Sequence, residues 1–151
     1  MYRLFTFFGL LSAAMLVGLM TTLLTVMRGV WLKESDDTAA SSFKNFLAHA
    51  ARNRILSTLS IMPVISAIVI AFIKSPADSH PHDAIIGGGI FFIGFFLWTA
   101  FFNLPIYKKV DAWPADKTPN DVRTLIKRFH DVNIVRLLAA LIATVLFFMA
   151  I

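Results

Sequence analysis

The sequence predicts an all-α protein, a bundle of four transmembrane helices, on three observations. Hydrophobic residues make up 58% of the 151 and charged residues only 15%, with a mean hydropathy of +0.74, a composition that suits a bilayer better than water. Four apolar runs, about residues 4–27, 55–73, 84–102 and 132–151, are each long enough to cross a hydrocarbon core of about 30 Å at 1.5 Å per residue. Lysine and arginine are confined almost wholly to two of the three segments between those runs.

The whole chain reads as one integral membrane domain. It has no cysteine, which excludes disulfides, thiolate metal sites and cysteine nucleophiles. In a membrane protein the net charge of +5 belongs to the loops, so no nucleic-acid partner is expected and the lipid bilayer is the first partner.

The first run is too long for a signal-peptide core and has no Ala-x-Ala site at its end, so it is expected to be retained as a helix. Gly9 with Ala13, and Ala14 with Gly18, have the spacing of helix contacts, and Thr21, Thr25 and Arg28 continue the second stripe. From Gly29 to Asn53 the chain turns polar. Ser35 to Thr38 offer N-caps for an interfacial helix that runs on into the second span.

The second span contains Pro63, which removes a backbone hydrogen bond and predicts a kink. Continued back at about 100° per residue, it brings His49, Asn53, Leu56, Ser60, Pro63, Ala67 and Ala71 to one face. Residues 74–83 form a breaker-rich loop in which His80, His82 and Asp83 are read as solvated, and no metal site is expected. In the third span Gly89, Phe92, Phe96, Thr99 and Asn103 share a face, and Pro105 is expected to end the helix. A fourth helix of roughly 33 residues, about 50 Å long, is expected from Thr118 as N-cap and Pro119 at its first position, extending well into the cytoplasm.

Five basic residues (Arg28, Lys33, Lys44, Arg52, Arg54) follow the first span and seven (Lys108, Lys109, Lys117, Arg123, Lys127, Arg128, Arg136) follow the third, against Arg3 and Lys74 elsewhere. That bias puts both long loops in the cytoplasm and both termini on the opposite side.

Arg136 lies within the fourth apolar run. With Arg128 at zero and about 100° per residue, Arg136 and Asn133 share the half of the helix that carries Ala139, Ala140, Ala143 and Thr144, whereas the bulky residues lie opposite. Small residues mark helix contacts, so Arg136 and Asn133 are expected to point inward. The plainer alternative is an arginine that snorkels to the interface. On the same wheel His130 and Asp131 fall outside the inner face and are expected to be solvated.

Asn103-Leu104-Pro105, then Arg128-Phe129-x-x-x-Asn133-x-x-Arg136, with Phe46-Leu47-Ala48-His49 before the second span, resembles the anthrone oxygenase-like family of small four-helix membrane proteins. Tyr107 stands where a second asparagine is usual in that family, and Phe129 where tryptophan is common. The resemblance implies oxidation of anthrones to anthraquinones by molecular oxygen, with no metal or flavin and hence no cofactor. Such chemistry needs a base for an acidic C–H proton, donors for the resulting enolate oxygen, and an apolar cavity for a flat ring.

His49 is the candidate base, and Arg136, Asn133 and Asn103 are the candidate donors. Phe92, Phe96 and Phe129 are the candidate pocket walls, with Thr99 and Ser60 on the same faces. Each also has a plainer reading: His49 as a solvated or capping side chain, Asn103 with Pro105 as a helix stop, Asn133 as structural support for Arg136, and the phenylalanines as packing.

Two other classes compete. A non-catalytic subunit or assembly partner of a larger membrane complex, or a homo-oligomer, would use the polar cluster only to lock helices together. A small transporter would need an acidic coupling residue within a span, and none of the nine acids lies in one.

Overall fold

The computed structural model describes residues 1–114 and 117–151, and among them the chain is all-helical. Five helices result: α1 (Tyr2–Lys33), α2 (Asp36–Arg52), α3 (Arg54–Phe72), α4 (Pro81–Asp111) and α5 (Val122–Met149). All but α2 are long and apolar enough to cross a membrane, which makes this a multi-pass membrane protein. Outward residues such as Phe7, Leu11, Ile68, Ile93 and Phe148 are exposed apolar side chains, as lipid contact requires.

The four long helices close a ring in which α1 and α4 each pack along both α3 and α5. Small residues let them approach. A Cβ at Gly94 would stand 2.6 Å from that of Ala139 on α5, and one at Gly88 would overlap Ala67 on α3. At one end of the ring the Tyr2 hydroxyl donates to the Ala150 carbonyl (2.7 Å), latching α1 to α5.

α2 lies outside the ring. Ser35 caps it by accepting from Thr38 N–H, while Asp36 and Asp37 in its first turn and Arg52 in its last complement the helix dipole. It buries Ala39, Ala40, Phe43 and Leu47. Phe43 meets Trp31 of α1 and Phe129 of α5 edge-on, at 5.0 and 5.2 Å between centroids. Arg123 of α5 ties this layer down by donating to the Trp31 and Glu34 carbonyls and to the Asp36 carboxylate.

Several expectations from sequence need correction. α1 does not stop near Met27 but continues to Lys33 through a π-helical turn at Leu23–Met27. Only its Gly9–Ala13 pair is buried; Ala14, Gly18, Thr21 and Thr25 face outward. α2 does not run on into the second span, because Asn53 has extended backbone (ψ 109°) and its side chain caps α3 by accepting from Leu56 N–H (3.0 Å). A single helical wheel therefore does not join His49 to Ser60, and Asn53 and Ala71 are exposed.

Pro81 opens α4 at its first position, three residues before the expected start, and Pro105 does not end it. Two π-helical stretches, Phe92–Leu97 and Thr99–Asn103, precede Pro105, and the chain remains helical to Asp111. α5 begins at Val122 after Asp121 rather than at Pro119, and spans 28 residues.

Candidate functional site

The polar centre of the bundle is built on α5, whose regular α-helical period makes its wheel reliable. Phe129, Asn133, Arg136, Ala139, Ala140 and Ala143 are all buried, as the small-residue stripe requires. Arg136 is 8% exposed, so its guanidinium lies within the protein and does not snorkel to water.

Asn133 organises the centre. Its Nδ2 donates to the Phe129 carbonyl (2.7 Å), which fixes the amide orientation. Its Oδ1 then accepts from Arg136 Nη1 (2.7 Å) and from Asn103 Nδ2 of α4 (3.2 Å). One amide oxygen thus joins the two helices that carry the site. Trp98 of α4, donating through Nε1 to the Val132 carbonyl (2.9 Å), holds the same pair of helices in phase.

Arg136 has no carboxylate partner in any ion pair among the described residues; instead, its guanidinium carbon stands over the Phe95 ring. Among the described residues this buried cation is thus held by an amide oxygen and an aromatic face.

Arg136 borders a cavity of about 660 Å³ that has His49 and Asn53 on another wall. The remaining lining is mostly apolar: Met15, Leu19, Met20, Leu23 and Met27 of α1, Phe46 of α2, Leu56 and Leu59 of α3, and Phe129 of α5. His49 is exposed, and its Nδ1 lies 2.8 Å from the Asn45 carbonyl. A carbonyl only accepts, so Nδ1 carries a proton, and in the neutral ring Nε2 keeps its lone pair.

The structure therefore brings Asn103, Asn133 and Arg136 into direct contact and places His49 and Phe129 on the cavity that Arg136 borders. Phe92 does not join them. It is 42% exposed on the outer face of α4, while Phe96, Thr99 and Ser60 are half-buried and are not among the cavity walls. Thr99 donates its hydroxyl to the Phe95 carbonyl.

The register of α4 explains the difference. A π turn takes in more residues than an α turn, so the residues in line with Asn103 are Phe95 and Phe91, both buried and stacked at 4.6 Å, rather than Phe96 and Phe92.

His130 also departs from expectation. It is fully buried rather than solvated, with Nδ1 2.7 Å from the Ile126 carbonyl and its ring against Trp31 at 5.5 Å, whereas Asp131 is exposed. The wheel assumed lipid or water behind α5, but there the extended end of α1 and the α2 layer cover it. Tyr107 was not singled out as a site residue, although it lines the cavity with Arg136 and His49. Its place four residues after Asn103 was the available signal, because i and i+4 share a helix face.

Four apolar spans packed around a buried, amide-held arginine that borders a half-open, mostly apolar cavity define a small multi-pass membrane protein with a polar centre in its bundle. The family model described as anthrone oxygenase matches residues 43–146, and the chain belongs to that family. The match takes in His49, Asn103, Tyr107, Asn133 and Arg136 and leaves α1 outside. No curated protein and no solved structure gives a match.

Proposed function

We propose that the protein is a cofactor-independent oxygenase that converts a hydrophobic, anthrone-like aromatic to its quinone with molecular oxygen. One observation carries this reading: a buried guanidinium, fixed by Asn133 and without a carboxylate partner among the described residues, borders the same apolar cavity as His49. An anthrone has a carbonyl and, across the ring, a CH₂ made acidic by it. His49 Nε2 takes a proton from that carbon, and the charge moves to the carbonyl oxygen, where Arg136 stabilises it. Asn133 and Asn103 hold Arg136 in place. The electron-rich carbon then reduces oxygen, and the apolar walls admit both the flat ring and the gas.

The test is oxygen uptake by purified protein with an anthrone, above the protein-free rate. One oxygen consumed per quinone formed is expected, with the enzymic excess lost when His49 and Arg136 are both replaced by alanine. An excess that survives the double replacement overturns the reading.

The bias of basic residues supports an orientation with both long loops cytoplasmic and both termini opposite. Because the chain has no cysteine, single cysteines introduced at Ser41 and Ser79 report this directly, and only the latter should react with an impermeant thiol reagent added from outside. A second reading, a subunit of a larger membrane assembly or a homo-oligomer, is favoured by the outward Ala14, Gly18, Thr21 and Thr25 stripe on α1. It predicts co-purification of a second chain or copy that is lost with Gly18→Leu.

A further inference from the structure

We propose that Tyr107 is a second catalytic residue of this site, the acid that protonates the peroxide formed on the substrate and then the base that completes the oxidation. The proposal rests on the oxygenase reading above and adds a residue to it.

The argument starts from placement. Tyr107 lies on α4 one turn beyond Asn103, in the α-helical stretch Leu104–Asp111 that follows the π turns. Its ring is half-buried against Phe129, with centroids 6.2 Å apart, and it lines the cavity together with Arg136 and His49. Among the described residues no hydrogen bond engages its hydroxyl, and Arg136 borders the same cavity. A phenol whose hydroxyl has no hydrogen-bond partner among the described residues, on the wall of a mostly apolar cavity that a buried cation also borders, is available to a ligand's oxygen.

The reaction needs such a group. His49 removes the first proton, and the carbon's electron pair forms a bond to molecular oxygen, which leaves a peroxide anion on the ring carbon. The proton that His49 holds is used later, on the hydroxide that leaves, so the peroxide takes its proton from a second acid. The Tyr107 O–H supplies the peroxide's terminal oxygen, giving the hydroperoxide and a phenolate beside Arg136. That phenolate takes the remaining hydrogen of the same carbon as a proton. The C–H electron pair becomes the second bond of C=O as the O–O bond breaks. The departing hydroxide takes the proton from His49 and leaves as water. The sum is CH₂ + O₂ → C=O + H₂O, a four-electron oxidation of carbon matched by four-electron reduction of oxygen, with both residues restored.

Tyr107→Phe keeps the ring and removes only the hydroxyl. With an anthrone in mixed micelles, the expected result is a KM within about twofold of wild type and quinone release slowed by about 10²-fold. A peroxide-positive intermediate, heavier than substrate by one O₂, should build up in the same samples. Wild-type quinone release by Tyr107→Phe, without peroxide, overturns the proposal while the oxygenase reading stands. No protein-dependent oxygen uptake by the wild type removes both.

A readout independent of the variant's folding is 3-fluorotyrosine placed at position 107, which makes the phenol more acidic with almost no change in size. The alkaline limb of the pH–rate profile should move to lower pH, and an unmoved profile argues equally against the assignment.

Discussion

The guanidinium carbon of Arg136 lies 4.1 Å from the centroid of the Phe95 ring. Where water is excluded, such a pair is worth about 2 kcal/mol, and among the described residues the guanidinium otherwise makes only its hydrogen bond to Asn133. Phe95→Leu, which keeps an apolar side chain and removes the ring face, should lower stability by about 1–2 kcal/mol in a micellar unfolding titration. In an Arg136→Met background the same replacement should cost measurably less, and the difference is the coupling between the two residues.

Asn133 accepts from both Arg136 and Asn103 with one oxygen, so Asn133→Leu leaves a buried guanidinium and a buried amide without that acceptor. A loss of about 1–3 kcal/mol is expected, with anthrone-dependent oxygen uptake reduced at least tenfold. Arg136→Lys should not preserve activity, because an ammonium does not present the planar fork that reaches Asn133 while lying over Phe95. Oxygen uptake at wild-type rates in either variant argues against a role for this cluster in the reaction.

The approach of α4 to α5 depends on Gly94, where a Cβ would stand 2.6 Å from Ala139 Cβ. Gly94→Val must push the helices apart at a point one turn from Arg136, which also stretches the 3.2 Å Asn103–Asn133 bond. Overpacking of this kind costs about 1–3 kcal/mol. Gly94→Val should therefore lower both thermal stability and turnover, while Gly29→Val, with nothing within 4 Å of its Cβ, should leave both nearly unchanged.

The connection between α4 and α5 should weaken in acid. Lys109 Nζ lies 2.7 Å from Asp121 Oδ2, and its hydrogen bond, with that of Trp113, holds the Asp121 carboxyl below the usual carboxylate range. A carboxyl lowered in the folded state contributes stability that is fully present above its unfolded value, about 3.9, and fades as pH falls through the lower folded value. The pair is largely exposed, so the contribution is at most about 1 kcal/mol. Hydrogen exchange at the Trp113 and Leu125 amides, which donate to the Val110 and Asp121 carbonyls, should be faster at pH 3 than at pH 6 once corrected for intrinsic rates, and Asp121→Asn should abolish the difference.

Arg136 and Asn133 were legible from sequence because α5 is regular: at 100° per residue the alanines declare the inner face, and the structure buries it. The same wheel misplaced the phenylalanines of α4 because it presumes an α-helical turn throughout, and nothing in Phe92–Asn103 announces i→i+5 bonding. His130 was misread for another reason. A helical wheel sorts residues around one axis but does not know that the tail of α1 and the α2 layer lie behind that axis. His49 was found as a residue, but the face drawn for it crossed Asn53, where the helix is broken. Tyr107 became visible only once the cavity had walls.

The π stretches of α4 also give the helix that carries Asn103 a tolerance in length. Each takes in more residues than an α-helical path needs, so removing one outward residue, Ala100 for instance, lets the turn close with ordinary i→i+4 bonds. Phe95 and Asn103 would then stand seven residues apart, two α turns, and still share a face. A chain lacking Ala100 should keep Asn103 and Tyr107 on the inner side, whereas loss of Ile134 from the regular α5 should turn Arg136 by about 100° away from Asn133.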